Sequence, residues 1–135
     1  MDDLTLTYRG VLLSDIEVND VDWTGREEHL RQRSVRTGDL DELDIEPEWA
    51  TEAATDPNRL ARERDSGSLE VIGWSPGAPG PVPGRKGRVL RVWVRPARDD
   101  VRSGHWIGGS ACAAAPEVTR IYEAETRRNT RWRGP

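Results

Sequence analysis

The sequence predicts an α+β fold, a small antiparallel β-sheet flanked by two N-terminal helices and one C-terminal helix. Three observations lead there. Two segments before residue 55 carry helix-start signals. The middle of the chain holds apolar, β-branched runs separated by turn residues. The last run is followed by a helical composition over 116–128. Strands that follow one another through hairpin-like loops pair antiparallel and leave the helices on one face.

Taken in order, residues 1–14 read as an extended arm with turns at Arg9-Gly10 and Ser14-Asp15, and Asp15–Asp22 reads as the first strand, carrying Ile16, Val18 and Val21. Thr24 with Glu27 forms a capping-box pattern, which predicts a helix from there to about Arg33. The acidic stretch Arg36–Glu46, anchored only by Leu40, Leu43 and Ile45, reads as a loop with a turn of helix. Pro47 suits the first helical position, and the helix it opens ends at Asp56-Pro57-Asn58, with Trp49 and Ala53 on its inward face. Leu69–Trp74 is a strand after the Asp65–Ser68 turn. Pro76–Gly84, with four Pro and three Gly, is expected to be a solvated hairpin loop outside any ladder. In the strand Arg88–Arg95, Leu90, Val92 and Val94 share one face and Val89, Arg91 and Trp93 the other. His105–Ser110 is a third strand of this group. Pro116–Arg128 is the final helix, with Val118, Ile121 and Tyr122 turned inward. The domain division is an arm at 1–14, one domain over 15–126 and a mobile basic tail at 127–135.

A chain of 135 residues has room for one compact domain. Its 35% hydrophobic and 33% charged residues predict a small core under a heavily charged surface, and with no Phe and six Trp the aromatic part of that core must come from Trp and Tyr. The start lacks the basic-then-apolar pattern of a secretory signal, and no run approaches the ~18 apolar residues of a membrane span, so the expectation is a soluble cytoplasmic protein with no membrane partner. One cysteine excludes an internal disulfide, and two His without a Cys pair argue against structural zinc; no metal or cofactor is expected. Charge is divided unevenly. Residues 1–56 carry 5 basic and 16 acidic side chains, net −11, and residues 57–135 carry 15 and 8, net +7. A basic half suits a polyanion such as RNA or an acidic protein partner. All basic residues but Lys86 are Arg, which grips phosphate with two donors at once, although genomic base composition produces the same bias.

Several short segments resemble a known family when taken in order. Val21-Asp22-Trp23 precedes His29-Leu30-Arg31-Gln32-Arg33-Ser34-Val35; the strands Leu69–Gly73 and Val89–Val94 follow; then Ser110-Ala111-Cys112 and Arg120-Ile121-Tyr122 close the series. Their order and spacing resemble the BrnT family of small bacterial ribonuclease toxins, over about Val21 to Glu123 with insertions at Arg36–Glu46 and in the Pro/Gly loop. The resemblance implies a RelE-like fold, RNA cleavage, neutralisation by a cognate antitoxin, and oligomers formed only through that antitoxin. The chain departs from the pattern at four places. Cys112 stands where the family has arginine, Ser68 where a basic residue precedes the strand, Arg33 where a histidine is usual, and Gly108 and Gly109 at positions usually β-branched.

Metal-free RNA cleavage needs a base for the 2′-hydroxyl, cations for the charged transition state and an acid for the leaving oxygen. His29 is the base candidate, since its pKa normally lies near neutrality. Arg33, Arg91 and Arg120 are candidates for phosphate stabilisation and Tyr122 for proton donation. Arg88, Trp93, Arg95 and His105 are candidates for RNA binding, with Trp93 stacking beside Arg91. Each has a plainer alternative: a solvated helix face for His29 and Arg120, a packed ring for Tyr122, an exposed cation–π pair for Arg91 and Trp93. Trp23 reads as a core anchor and Cys112 as structural. Two other functions stay open: a catalytically weak module that binds RNA or a partner, and a protein that binds its partner through the acidic stretch Arg36–Glu46.

Overall fold

The computed structural model describes residues 7–132, with side chains through 127. The fold is α+β, built on a five-stranded sheet and a two-stranded hairpin. The hairpin pairs β1 (Thr7–Tyr8) with β2 (Val11–Leu12) through Arg9 and Gly10, both at positive φ, the backbone that a two-residue turn demands. It occupies part of the stretch expected to be an extended arm outside the domain. Tyr8 is fully buried, tilts against Trp106 at 5.9 Å, and its hydroxyl donates to the Gly67 carbonyl, so residues 7–14 belong to the body of the protein. Leu4 and Leu6 lie outside the described residues.

The main sheet runs β3 (Asp20–Asp22), β7 (His105–Ala113), β6 (Lys86–Pro96), β5 (Leu69–Pro79) and β4 (Leu60–Glu63) in spatial order. Four strands form an antiparallel meander, but β3 pairs parallel with β7, correcting the expectation of a purely antiparallel sheet. The chain between β3 and β4 holds three helices, and this long connection frees β3 from the hairpin rule. β3 is also shorter than the predicted Asp15–Asp22, because Leu13–Asp15 turns as a single 3-10 turn and Ile16 and Val18 bury themselves outside the ladder.

The first predicted helix is two short ones, α1 (Glu27–Arg31) and α2 (Arg33–Thr37). The capping box does not form. Gly25 sits at φ 82, so no helix can run through it, and the Thr24 hydroxyl instead donates to Asp22. α3 (Pro47–Ala54) begins at Pro47 as expected. It packs on β5 so closely that a Cβ on Gly73 would lie 1.9 Å from the Ala53 carbonyl oxygen. The helices lie on both faces of the sheet rather than on one. α3 covers the face of Val71, Leu90, Val92 and Val94, whereas Val118 and Tyr122 of α4 (Pro116–Trp132) pack on Ile72 and Val89 of the other. Ile121, expected inward, is exposed, since α4 rests on a narrow seam. α4 also continues past Arg128 to Trp132, so residues 127–132 are helical rather than a loose tail, and 133–135 lie outside the described residues.

β5 enters the Pro/Gly run further than expected, and after an irregularity Pro79 pairs with Lys86. β4 reaches only as far as Leu60 opposite Ile72, so beyond that point β5 is an edge strand, where a proline's missing N–H costs nothing. Side chains take over the amide donors here: Gly77 N–H donates to Glu52, and Ala78 N–H to the Ser75 hydroxyl. The two unusual glycines of β7 also find a reason. A Cβ on Gly108 would lie 2.3 Å from the buried Trp23 ring, and Gly109 is the extra residue of a bulge between the pairs Val94–Gly108 and Trp93–Ser110.

Candidate nucleic-acid interface

Strand alternation places Arg91, Trp93 and Arg95 of β6 on the face opposite α3. The register then sets their neighbours. Ser110, Trp93, Glu70 and Arg62 form one row across β7, β6, β5 and β4; Cys112, Arg91, Ile72 and Leu60 form the next. α4 covers the Ile72–Val89 end of this face, and the Glu70–Trp93 end is left to polar side chains.

Glu70 organises that end. It is the one acid in the apolar run Leu69–Gly73, and it is fully buried. Its Oε1 accepts from Arg62 Nε at 3.0 Å and lies 3.4 Å from Arg64 Nη1, while Oε2 accepts from Arg91 Nε at 2.7 Å. Burial works against ionisation of this carboxyl, but the hydrogen bonds from Arg62 and Arg91 outweigh it and hold its pKa below the usual 4.5. The stability it contributes is therefore complete above the carboxylate range and is lost as the pH falls through its lowered pKa. Acid titration of the fold should show a decline below pH 4.5 that flattens in Glu70→Gln.

The Arg91 guanidinium lies 4.9 Å from the centroid of the Trp93 ring, the cation–π pair anticipated from their spacing. Arg95 is exposed on the same face, opposite Ile107. Cys112, where the resemblance expects arginine, lies directly across the ladder from Arg91; Ser68, where it expects a base, accepts the amide N–H of Arg64. A guanidinium thus lies across the ladder from Cys112, and Arg64, just past the end of β4, is the backbone partner of Ser68. Cys112 itself is buried, which pushes its thiol up and keeps it protonated.

α1 flanks β7 where β3 stops, fastened by Arg26 Nε donating to the Gly109 carbonyl at 3.0 Å. It brings the His29 ring to the edge of the face, with Nε2 3.5 Å from the Ser110 hydroxyl. Partial burial lowers the His29 pKa, and the charges of Arg26, Arg36 and Arg33 lower it further, so the ring is neutral at pH 7 and able to accept a proton. Arg33 reaches Glu42 Oε1 at 3.3 Å, its Nε is buried without a partner, and its charge is felt at Cys112.

The other candidates are not brought to this place. Tyr122 is buried and donates its hydroxyl to Asp56 Oδ2, which also accepts the Trp74 amide N–H at 2.8 Å. Burial and this bond raise the Tyr122 pKa, so the hydroxyl keeps its proton and fastens α4 to the sheet. Tyr122→Phe should cost about 1.5–3 kcal/mol, the range for a hydrogen bond to a charged group, read by urea denaturation. Arg120 is exposed on α4, away from the seam of Val118 and Tyr122. Arg88 alternates to the side of Leu90 and donates to the Pro79 carbonyl. His105, at the start of β7, pairs with Asp20 at 2.7 Å, five residues from Ser110.

Glu70, Arg62, Arg64 and Arg26 did not stand out in the sequence, and Ser110 did so only as part of the Ser110-Ala111-Cys112 motif, not as a site residue. An acid inside an apolar strand was a signal for Glu70, and Arg62 and Arg64, two residues apart, share a face once β4 is known to be a strand. No family model, curated protein or solved structure matches this chain. No helix among the described residues is long and apolar enough to cross a membrane.

Proposed function

We propose that this protein is the toxin-like component of a toxin–antitoxin pair and acts on RNA as a metal-independent endoribonuclease. The observation behind the reading is a single sheet face on which Arg91 and Trp93 form a stacked pair, flanked at the β7 edge by a neutral His29 and by Arg33. In this scheme His29 takes the 2′-hydroxyl proton, the 2′-oxygen closes on phosphorus to a 2′,3′-cyclic phosphate as the bond to the 5′-oxygen breaks, and the leaving 5′-oxygen takes its proton from water. Arg33 and Arg91 stabilise the charged phosphorane-like transition state, and Trp93 with Arg95 holds the strand. A cognate antitoxin neutralises the chain by covering the same cations, and it is the route to any oligomer. The setting is the cytoplasm, where transcripts are the substrate.

A second reading, RNA or partner binding without cleavage, is favoured by one observation. Tyr122, the candidate for protonating the leaving oxygen, is committed to Asp56. Inducing the chain in cells without a partner, and incubating purified protein with RNA in a chelator, separates the two. Arrested growth and fragments ending in 2′,3′-cyclic phosphate are expected. Intact RNA with normal growth would sink the ribonuclease, and retained binding alone would leave the second reading standing.

A further inference from the structure

We propose that Glu70 is a positioning residue that holds Arg62, Arg64 and Arg91 as a receptor for a backbone phosphate of single-stranded RNA. The inference deepens the RNA reading and rests on it. One arginine is enough to neutralise a buried carboxylate, yet three converge on Glu70. The surplus is two positive charges confined to one patch of sheet, and their mutual repulsion persists until a further anion joins them. Arg62 and Arg91 both reach Glu70 through Nε, which fixes the plane of each guanidinium and leaves terminal N–H groups as donors. Arg62 and Arg64 have side chains 56% and 40% exposed, so those donors are open to a ligand in solution. A phosphate oxygen set among them meets donors already oriented, which is the advantage of a site organised before binding. Trp93, next to Glu70 across the β5–β6 ladder, sets the strandedness: a base reaches an aromatic ring on a sheet only when it is unstacked, as in a single strand.

The test uses the full chain and two probes. Inorganic phosphate is titrated while the Nε–H resonances of Arg62, Arg64 and Arg91 are followed by NMR. A single-stranded RNA dodecamer, 2′-O-methylated so that it cannot be cleaved through its 2′-hydroxyls, is titrated at several salt concentrations. Phosphate should move all three resonances; unmoved resonances overturn the receptor. Arg62→Ala with Arg64→Ala, at exposed positions that leave the core untouched, should weaken dodecamer binding tenfold or more. It should also reduce the slope of log K against log salt by about 0.7, one phosphate contact on a single strand. Unchanged dodecamer affinity, even with phosphate shifts, overturns the assignment to RNA. Glu70→Gln separates positioning from charge. It adds one positive unit, so a purely electrostatic role predicts tighter binding, whereas loss of positioning predicts binding at least fivefold weaker in the folded variant; tighter binding overturns the proposal. Unmodified RNA that is bound in this way and left intact defeats the ribonuclease reading alone. Cleavage that is indifferent to Arg62 and Arg64 defeats the receptor alone.

Discussion

His29→Ala is expected to lower RNA cleavage by roughly 100- to 10,000-fold, the usual contribution of a positioned proton-transfer group. The fold should hardly notice, because His29 is only partly buried at the edge of β7 and its ring nitrogen makes only a long, 3.5 Å approach to the Ser110 hydroxyl. A change within about 1 kcal/mol in denaturation is the expected companion result. The pH profile carries a further signature. A base acts in its neutral form, and burial together with Arg26, Arg36 and Arg33 disfavours the protonated ring. Activity should therefore persist below pH 6.5 and fall only as the pH drops through the lowered His29 pKa. Cleavage by His29→Ala at the wild-type rate, with the same acidic limb, would remove His29 from the mechanism.

Gly73→Ala is expected to cost about 3 kcal/mol or more and to lower Tm by roughly 10 °C. The added Cβ would meet backbone, with the Ala53 carbonyl oxygen at 1.9 Å and its carbon at 2.8 Å. A flexible side chain could yield, but here the C-terminal turn of α3 would have to lift from β5, opening the packing of Ala50, Ala53 and Ala54 against the sheet. Gly109→Ala is the control. Its Cβ would meet only the Trp93 carbonyl at 3.3 Å, so its loss should be much smaller. Thermal melts of the two variants side by side would decide it, and equal melting temperatures would contradict the close packing of α3 on β5.

The elements that sequence reading places correctly are those whose signals are local. Pro47 opens α3, the Arg9-Gly10 turn makes a hairpin, and the alternation of Val89, Arg91 and Trp93 against Leu90, Val92 and Val94 sorts the faces of β6. Trp23 is a core anchor because its ring fills the space left by Gly108 on the neighbouring strand β7. What escaped was decided by partners distant in sequence. β4 has little apolar pattern of its own and is a strand because Leu69–Ile72 offers it a ladder. The capping box at Thr24 lost to a left-handed Gly25. Of the candidate site residues, Arg91, Trp93 and Arg95 share one face with His29 at its edge, Arg33 is ion-paired with Glu42 beside it, and Tyr122, Arg120, Arg88 and His105 go elsewhere.

The α+β class, the basic second half and the pairing of Arg91 with Trp93 follow from composition and two-residue periodicity, which are properties of the chain before it folds. The parallel pairing of β3, the helices on both faces, the Tyr122 bond to Asp56 and the meeting of three arginines on Glu70 arise only when distant segments are brought together. A buried charge or hydroxyl must find its partner wherever the fold delivers one, and cross-strand register, which sets Arg91 opposite Cys112 and Arg62 opposite Glu70, is fixed by the packing of the whole sheet.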